Sequence, residues 1–236
     1  GGGVQGRPGG QGGRVLVALN LFDGEWRGGE RRVLALAGVM AVAAVTGVAW
    51  LADRVAGATE ARAADLLAAD RAVESTEPIP AEWIQRATAQ GLETARTAVF
   101  PTVVLTESAN RLVSAKAVSP GYPLRGELRI QRQPGGPEQR APQGPAPGTA
   151  WVESRLLGLL DLAVGETLTL GARELRVAAI LSFEPDRGQG FGNLAPRVMF
   201  NQADLAATEL LGPGSRVRHK LLLAGPLETV NAYTDG

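Results

Sequence analysis

The chain has 236 residues with 24 basic and 24 acidic side chains, one histidine and no cysteine. Zero net charge argues against a nucleic-acid surface, which needs a clustered cationic excess to displace counterions. The lack of cysteine removes disulfides, thiolate nucleophiles and cysteine-ligated zinc, and His219 alone does not make a histidine metal cluster.

The first thirteen residues, GGGVQGRPGGQGG, hold eight glycines and offer nothing to bury, so a tail without a core is expected. Over 14–26, Val15, Leu16, Leu19, Phe22 and Trp26 fall roughly on one side of a helix, which suits a segment lying on a membrane surface. The breakers Asp23-Gly24 and Gly28-Gly29 suit a short loop instead. Residues 1–32 thus read as a cytoplasmic Gly-rich tail and an interfacial segment.

Residues 33–52 carry no charge, and Thr46 is their lone hydroxyl. At about 1.5 Å per residue, a helix of twenty residues covers the roughly 30 Å hydrocarbon core, so one transmembrane helix is expected. A buried globular helix of this length would show a polar face. A cleaved signal peptide competes, because Ala56-Gly57-Ala58 resembles a cleavage site, but its apolar region would be only about 7 to 15 residues long. Ala37, Ala41 and Ala44 form a small-residue stripe that would admit a neighbouring helix. Arg14, Arg27, Arg31 and Arg32 precede the span, and Arg54, Arg62 and Arg71 follow it. The abutting Arg31-Arg32 pair orients the amino terminus to the cytoplasm and 53–236 to the extracytoplasmic side.

Beyond the span an Ala-rich, proline-free stretch predicts helical continuation toward Ala69. A strand follows over 70–76, then a helix entered at Pro80 and closed by Gly91, with Trp83, Ile84 and Ala87 facing a core. Strands over 94–106 and 111–124, joined at 107–110, complete a βαββ unit. Residues 134–148 hold five prolines and four glycines and read as a linker or boundary. A short helix over 153–160 comes next. Leu168 and Leu170, a Gly171-Ala172 turn, and Leu175, Val177, Ala179 and Leu181 then predict a hairpin in a small β-rich module. Residues 216–225 form a further strand, and PLETVNAYTDG begins a helix.

Few residues invite a chemical reading. Gly188, Gly190 and Gly192 follow a strand as a dinucleotide loop would, but their spacing is G-x-G-x-G and Pro196 stands where the binding helix would run. A flexible or tight-turning loop is expected there. Glu184 and Asp186 share a face of an extended chain, with a solvated loop as the expectation. Ser154, Ser182 and Ser215 lack a G-x-S-x-G setting, Ser119 in SPGYP is a turn residue, and no Walker motif is present. No catalytic, cofactor-binding or metal-ligating residue is assigned, and neither enzymatic activity nor a cofactor is expected.

Several separated blocks carry a family likeness: WRGGERRVLALAGVMAVAAVTGVAWLADRV, LLAADRAVESTEPIPAEW, KAVSPGYPLRGELRI and EPDRGQGFGNLAPRVMFNQADLAATELLGPGSRVRHKLLLAG. Together they resemble the amino-terminal part of an ABC-transporter permease of the FtsX/MacB superfamily, in its YbbP-like branch. The resemblance implies an α+β fold: one transmembrane helix, then a MacB-like extracytoplasmic core domain, porter-like over 53–130 and 215–236, with a β-rich insertion over 150–214. It implies a fragment that ends inside the returning half of that domain. It further implies the permease subunit of a bacterial inner-membrane complex, which couples ATP hydrolysis on a separate cytoplasmic ATP-binding subunit to motion of the extracytoplasmic domain. Export or extraction of a lipid-like or lipoprotein cargo is the implied task, with a second permease copy or subunit as a further partner. A single-pass anchored extracytoplasmic binding or hydrolytic module is the alternative, and it requires a convergent polar site.

Overall fold

The structure, a computed structural model, describes residues 33, 36–50, 67–187, 194–212 and 214–235. They belong to two units, Gly1–Ala58 and Thr59–Gly236.

In the first unit, 36–50 is a helix whose Val39, Met40, Val45, Val48 and Trp50 side chains are all exposed. Among the described residues no helix is long and apolar enough to cross a membrane. The span expected over 33–52 includes positions 34, 35, 51 and 52, which lie outside the described residues. So do the segment 1–32 and the helical continuation over 53–66.

The second unit is mixed α+β and is organised by one long strand. β1 (Arg71–Ser75) leads through the helix Ala81–Ala89 into β2 (Glu93–Leu105), which turns tightly into β3 (Asn110–Val118). Thr106 N–H bonding to Ala109 O at 2.9 Å closes that turn. The chain continues through β4 (Leu128–Gln131), β5 (Gln139–Ala141), β6 (Thr149–Glu153), the helix Ser154–Leu160, β7 (Thr167–Leu170) and β8 (Arg173–Phe183). It finishes with β9 (Arg197–Asn201), β10 (Arg218–Ala224) and the helix Leu227–Asp235.

Following the pairings shows a closed ring. β2 pairs with β3, β3 with β9 in parallel, β9 with β6, β6 with β8 in parallel, β8 with β7, and β7 returns to β2 at Val104↔Leu170. Closure lets alternate residues fill an interior. Phe100, Val104, Val113, Leu168, Leu175 and Phe200 do so, with Phe100 and Phe200 meeting edge to face at 6.5 Å. Leu156, Leu157 and Leu160 of the short helix bury into the same core. Gly171, at φ +61°, makes the β7–β8 turn; a Cβ there would lie 2.0 Å from Thr208 O, so only glycine fits.

Two wings extend the ring. β10 pairs with β2 over 93–99 and carries β1 on its far side, while β4 pairs with β8 and carries β5. The helices Ala81–Ala89 and Leu227–Asp235 cover Leu221 and Leu223 with Ala87, Val230 and Tyr233, and Tyr233 donates its hydroxyl to Trp83 O at 2.8 Å. A further core, holding Tyr122, Leu128, Trp151, Leu181 and Met199, lies on the outer face of the ring.

Most elements stand within a few residues of their expected places. Three features of the pairing and packing go beyond those local patterns. β1 does not pair with β2, because β10 lies between them. The strands of 150–214 pair directly with β2 and β3, so no break in the sheet separates them from 53–130 and 215–236. The Pro/Gly-rich stretch 134–148 is packed structure as well as a connection: Gln139–Ala141 forms β5, and Ala141 and Pro145 are buried. Asn201 Nδ2 donates to Pro145 O at 2.8 Å, and Gly148 N–H donates to Asp204 Oδ2 at 2.7 Å. Proline and glycine end regular ladders, but they do not prevent a chain from lying against a core. β3 stops at Val118 because Ser119-Pro120-Gly121 turns, with Gly121 at φ +87°.

Candidate functional site

Alternation along β3 sends Val113, Ala115 and Ala117 into the ring and turns Ser114 and Lys116 to its outer face. Register places Ser114 beside Arg197 and Lys116 beside Met199. The chain leaving β3 brings Tyr122 over this face, and the chain leaving β8 brings Glu184 and Asp186. Lys116 and Glu184 side chains are 1% and 0% exposed.

Lys116 Nζ donates to Tyr122 Oη at 2.7 Å, to Asp186 Oδ1 at 2.5 Å and to Glu184 Oε2 at 3.2 Å, which uses all three ammonium donors. Tyr122 Oη donates in turn to Asp186 Oδ1. Arg197 Nε donates to Glu184 Oε1 at 2.6 Å, and its Nη1 donates to Ser114 Oγ at 2.5 Å. Glu153 extends the network, accepting from Arg197 N–H at 3.0 Å and from Arg187 Nη2 at 2.8 Å.

Two cations thus face two carboxylates in a dry site, with Arg187 balancing Glu153. Burial pushes the Asp186 carboxyl up, but the Lys116 charge and the hydrogen bonds from Lys116 and Tyr122 outweigh it and hold Asp186 below the usual carboxylate range. Burial, then the Asp186 and Glu184 charges, push the Tyr122 phenol well above its ordinary value. Burial also raises Glu153, yet Arg187 and the Arg197 N–H bring it below the ordinary value. Among the described residues Lys116, Tyr122, Arg197 and Arg187 hydrogen-bond to these carboxylates, which suits a brace tying two covering segments to the sheet.

This corrects the expectation of a solvated loop at Glu184 and Asp186: both carboxylate side chains are shielded from solvent, because Lys116 and Arg197 compensate their charge. The sequence did hold a signal. Lys116 lies in NRLVSAKAV on the same face as Ser114, and a lysine in a covered strand demands buried carboxylates. Gly188, Gly190 and Gly192 lie outside the described residues. Pro196, as expected, starts no helix, and its carbonyl accepts from Ser114 N–H at 2.9 Å where β9 begins. Ser119 is a turn residue whose Oγ accepts from Arg96 N–H at 2.8 Å. Ser182 Oγ is buried without a partner among the described residues and Ser215 Oγ accepts from Gly212 N–H; His219, held low by burial, hydrogen-bonds to neither. Among the described residues no group of His, Cys, Asp or Glu is arranged to hold a metal.

Two clefts flank the network. One, of about 710 Å³, is walled by Pro123, Pro142, Pro185 and Phe183, and its charges are internally spent. There Glu127 bonds Arg129 Nε at 2.6 Å and pairs with Arg140, and Arg129 lies 5.5 Å over the Phe183 ring. The other, of about 730 Å³, runs beside β2 and is mainly apolar, with Val99, Pro101, Leu112, Arg216 and Arg218 in its walls and Ser114 linking it to Arg197.

No family profile matches the chain. Over 90% of its length the chain is 32% identical to the uncharacterized ABC transporter permease YbbP of Escherichia coli strain K12. It spans 25% of that protein, so the similarity relates nearly all of this chain to about a quarter of a longer ABC transporter permease.

Proposed function

We propose that the chain is part of the permease subunit of an ABC transporter, with 33–52 as a membrane span and the β-ring unit on the extracytoplasmic side. The observation that carries this reading is the 32% identity along 90% of the chain to an ABC transporter permease. In this reading, ATP binding and hydrolysis on a separate cytoplasmic subunit displace the membrane helix, and the β-ring unit moves in response to export or extract a lipid-like or lipoprotein cargo, without enzymatic chemistry of its own. A unit with three packed cores and a saturated ionic brace is suited to moving as one body.

The test is a nanodisc pull-down of the full-length parent followed by ATP-hydrolysis assays. Co-purification with an ATP-binding subunit is expected, with ATPase activity that depends on that subunit and that cargo alters reciprocally. A parent that purifies alone and hydrolyses an ester, glycoside or peptide by itself would replace this reading with the anchored-enzyme one. Reporter fusions after Gly126 and Gly225 test orientation, and activity of a cytoplasm-only reporter at either site would reverse it.

A further inference from the structure

We propose that the seam beside β2 is a binding site for a single-tailed anionic amphiphile, specifically a long-chain carboxylate. The proposal gives the lipid-like cargo of the permease reading a place and a head-group chemistry, and rests on that reading for its physiological meaning.

The seam follows from the register. β10 leaves β2 at Arg218↔Val99, and β7 joins the same strand only at Val104↔Leu170. Between them β2 has no ladder partner on that edge among the described residues, and Pro101, which has no N–H to offer, falls in the gap. The resulting groove of about 730 Å³ is within the size range of ligand cavities, roughly 300 to 1,000 Å³. Its outer wall is Val99, Pro101 and Leu112, whereas Phe100, Val113 and Val217 belong to the ring core. An apolar chain lying in it therefore contacts Val99, Pro101 and Leu112 and reaches side chains of the ring core, and among the described residues the charged groups in the lining are Arg216 and Arg218.

The apolar surface continues outward along the same face. Val103, Leu105 and Leu112 are 43%, 45% and 61% exposed, and Val103 pairs directly with Leu112. From Val99 to Leu105, at about 3.3 Å per residue, the strip is about 20 Å long, which matches an extended long acyl chain. An apolar strip of this extent on a sheet face marks an interaction surface.

The head group is chosen by charge. Arg216 and Arg218 line the groove, are exposed and have no ion pair or side-chain hydrogen bond among the described residues. Arg125, Arg129, Arg187 and Arg197, by contrast, all meet carboxylates. Among the described residues no acidic side chain lines the groove. Two unspent guanidiniums beside an uncharged slot are complementary to one carboxylate on one tail.

The experiment uses the full chain in zwitterionic nanodiscs with a photoreactive sixteen-carbon carboxylate, adducts being mapped by mass spectrometry. The expected result is labelling within 99–113 and 215–218 that excess unlabelled palmitate removes. Labelling should fall at least about tenfold in Arg216→Glu/Arg218→Glu and with the photoreactive alcohol of equal length. Arg216→Gln/Arg218→Gln, which keeps side-chain bulk, should show an intermediate loss, and thermal melts check that both variants fold. Equal labelling by alcohol and acid, or adducts confined to 33–52, overturns the proposal, as does saturation of the groove by a co-purifying protein segment. A failure here leaves an ATP-binding subunit free to co-purify with the parent, and a failed pull-down leaves the labelling intact, so the two readings fail separately.

Discussion

Lys116 and Leu112 stand on the same face of the same strand, and the protein treats them in opposite ways. The lysine is fully buried and the leucine is 61% exposed. The difference lies in what covers each end of β3. Over Lys116 the chain folds back twice, bringing Tyr122 from one side and Glu184 and Asp186 from the other. Over Leu112 the described residues supply no such cover, and the sheet opens into a groove whose arginines meet no anion among them. Residue type alone therefore predicts neither end. A buried charge is stable where complementary groups are delivered to it, and a contiguous exposed apolar strip marks an interaction surface.

The largest effect should come from breaking the covered end. Lys116→Met removes the cation that faces Asp186 and Glu184 and leaves carboxylates buried with incomplete compensation, a change that costs about 3–5 kcal/mol. Denaturant unfolding of the chain measures it. Adding Asp186→Asn should recover part of the loss, because the second change removes one orphaned charge. If the single variant loses less than about 1 kcal/mol, the brace is not stabilised by its charge pairing.

A second variant tests whether the proline-rich strap belongs to the covered side. A Cβ at Gly144 would lie 2.6 Å from Val118 Cγ2, so Gly144→Val forces the strap off β3 at about 1–3 kcal/mol, as overpacking does. Replacing 134–138 with Gly/Ser of equal length, in the exposed half of the same stretch, should change stability by less than about 0.5 kcal/mol. Equal effects in both halves would show that 134–148 behaves as one linker.

The contrast between those halves shows where sequence reading was sufficient. Local patterns placed β1, the helix at Ala81–Ala89, β2, the hairpin at Gly171-Ala172 and β10 correctly, because alternation, caps and turn residues are properties of neighbours in the chain. Ring closure was not legible: β2 meets β7 and β3 meets β9 across long separations, and nothing in TLTL or RVMFN names its partner. β4, β6 and β9 are short strands, and RVMFN is buried throughout, so it lacks the alternation that marks a half-covered strand. Composition likewise marked 134–148 as irregular without showing that Ala141 and Pro145 are buried. Glu184 and Asp186 stand two apart in the sequence, but their role depends on Lys116, which is distant in sequence and adjacent only once the ring forms.

The Tyr122 phenol offers a third test with a defined sign. Its proton is held well above the ordinary value, first by burial and then by Asp186 and Glu184. A folded-state value above the unfolded one gives stability that is complete below about pH 10 and is lost as pH rises beyond it, because the unfolded phenol releases its proton first. Wild-type stability should therefore fall above about pH 10, and Tyr122→Phe should remove that part of the slope while costing about 1–3 kcal/mol at neutral pH for the hydrogen bonds lost. Absorbance titration resolves the two tyrosines of the chain, and a phenolate signal from Tyr122 in the folded protein near pH 10 would contradict the geometry.

The smallest expected effect on stability falls on the open end. Leu112→Ser removes an exposed side chain whose main protein neighbour is Val103 across the strand pair, an interaction worth a few tenths of a kcal/mol. Its hydrophobic contribution is already largely unrealised in the folded state, so unfolding free energy should change by less than about 0.5 kcal/mol. Labelling by the photoreactive carboxylate should nevertheless drop, since the same leucine forms the outer wall of the groove. Taken with Lys116→Met, this reverses the usual order in which deleting a leucine is costly and deleting a lysine is cheap. A loss above about 1.5 kcal/mol for Leu112→Ser would mean that the open end is closed in solution by another part of the protein. The contrast between the two ends of β3 would then be one of conformation and no longer one of function.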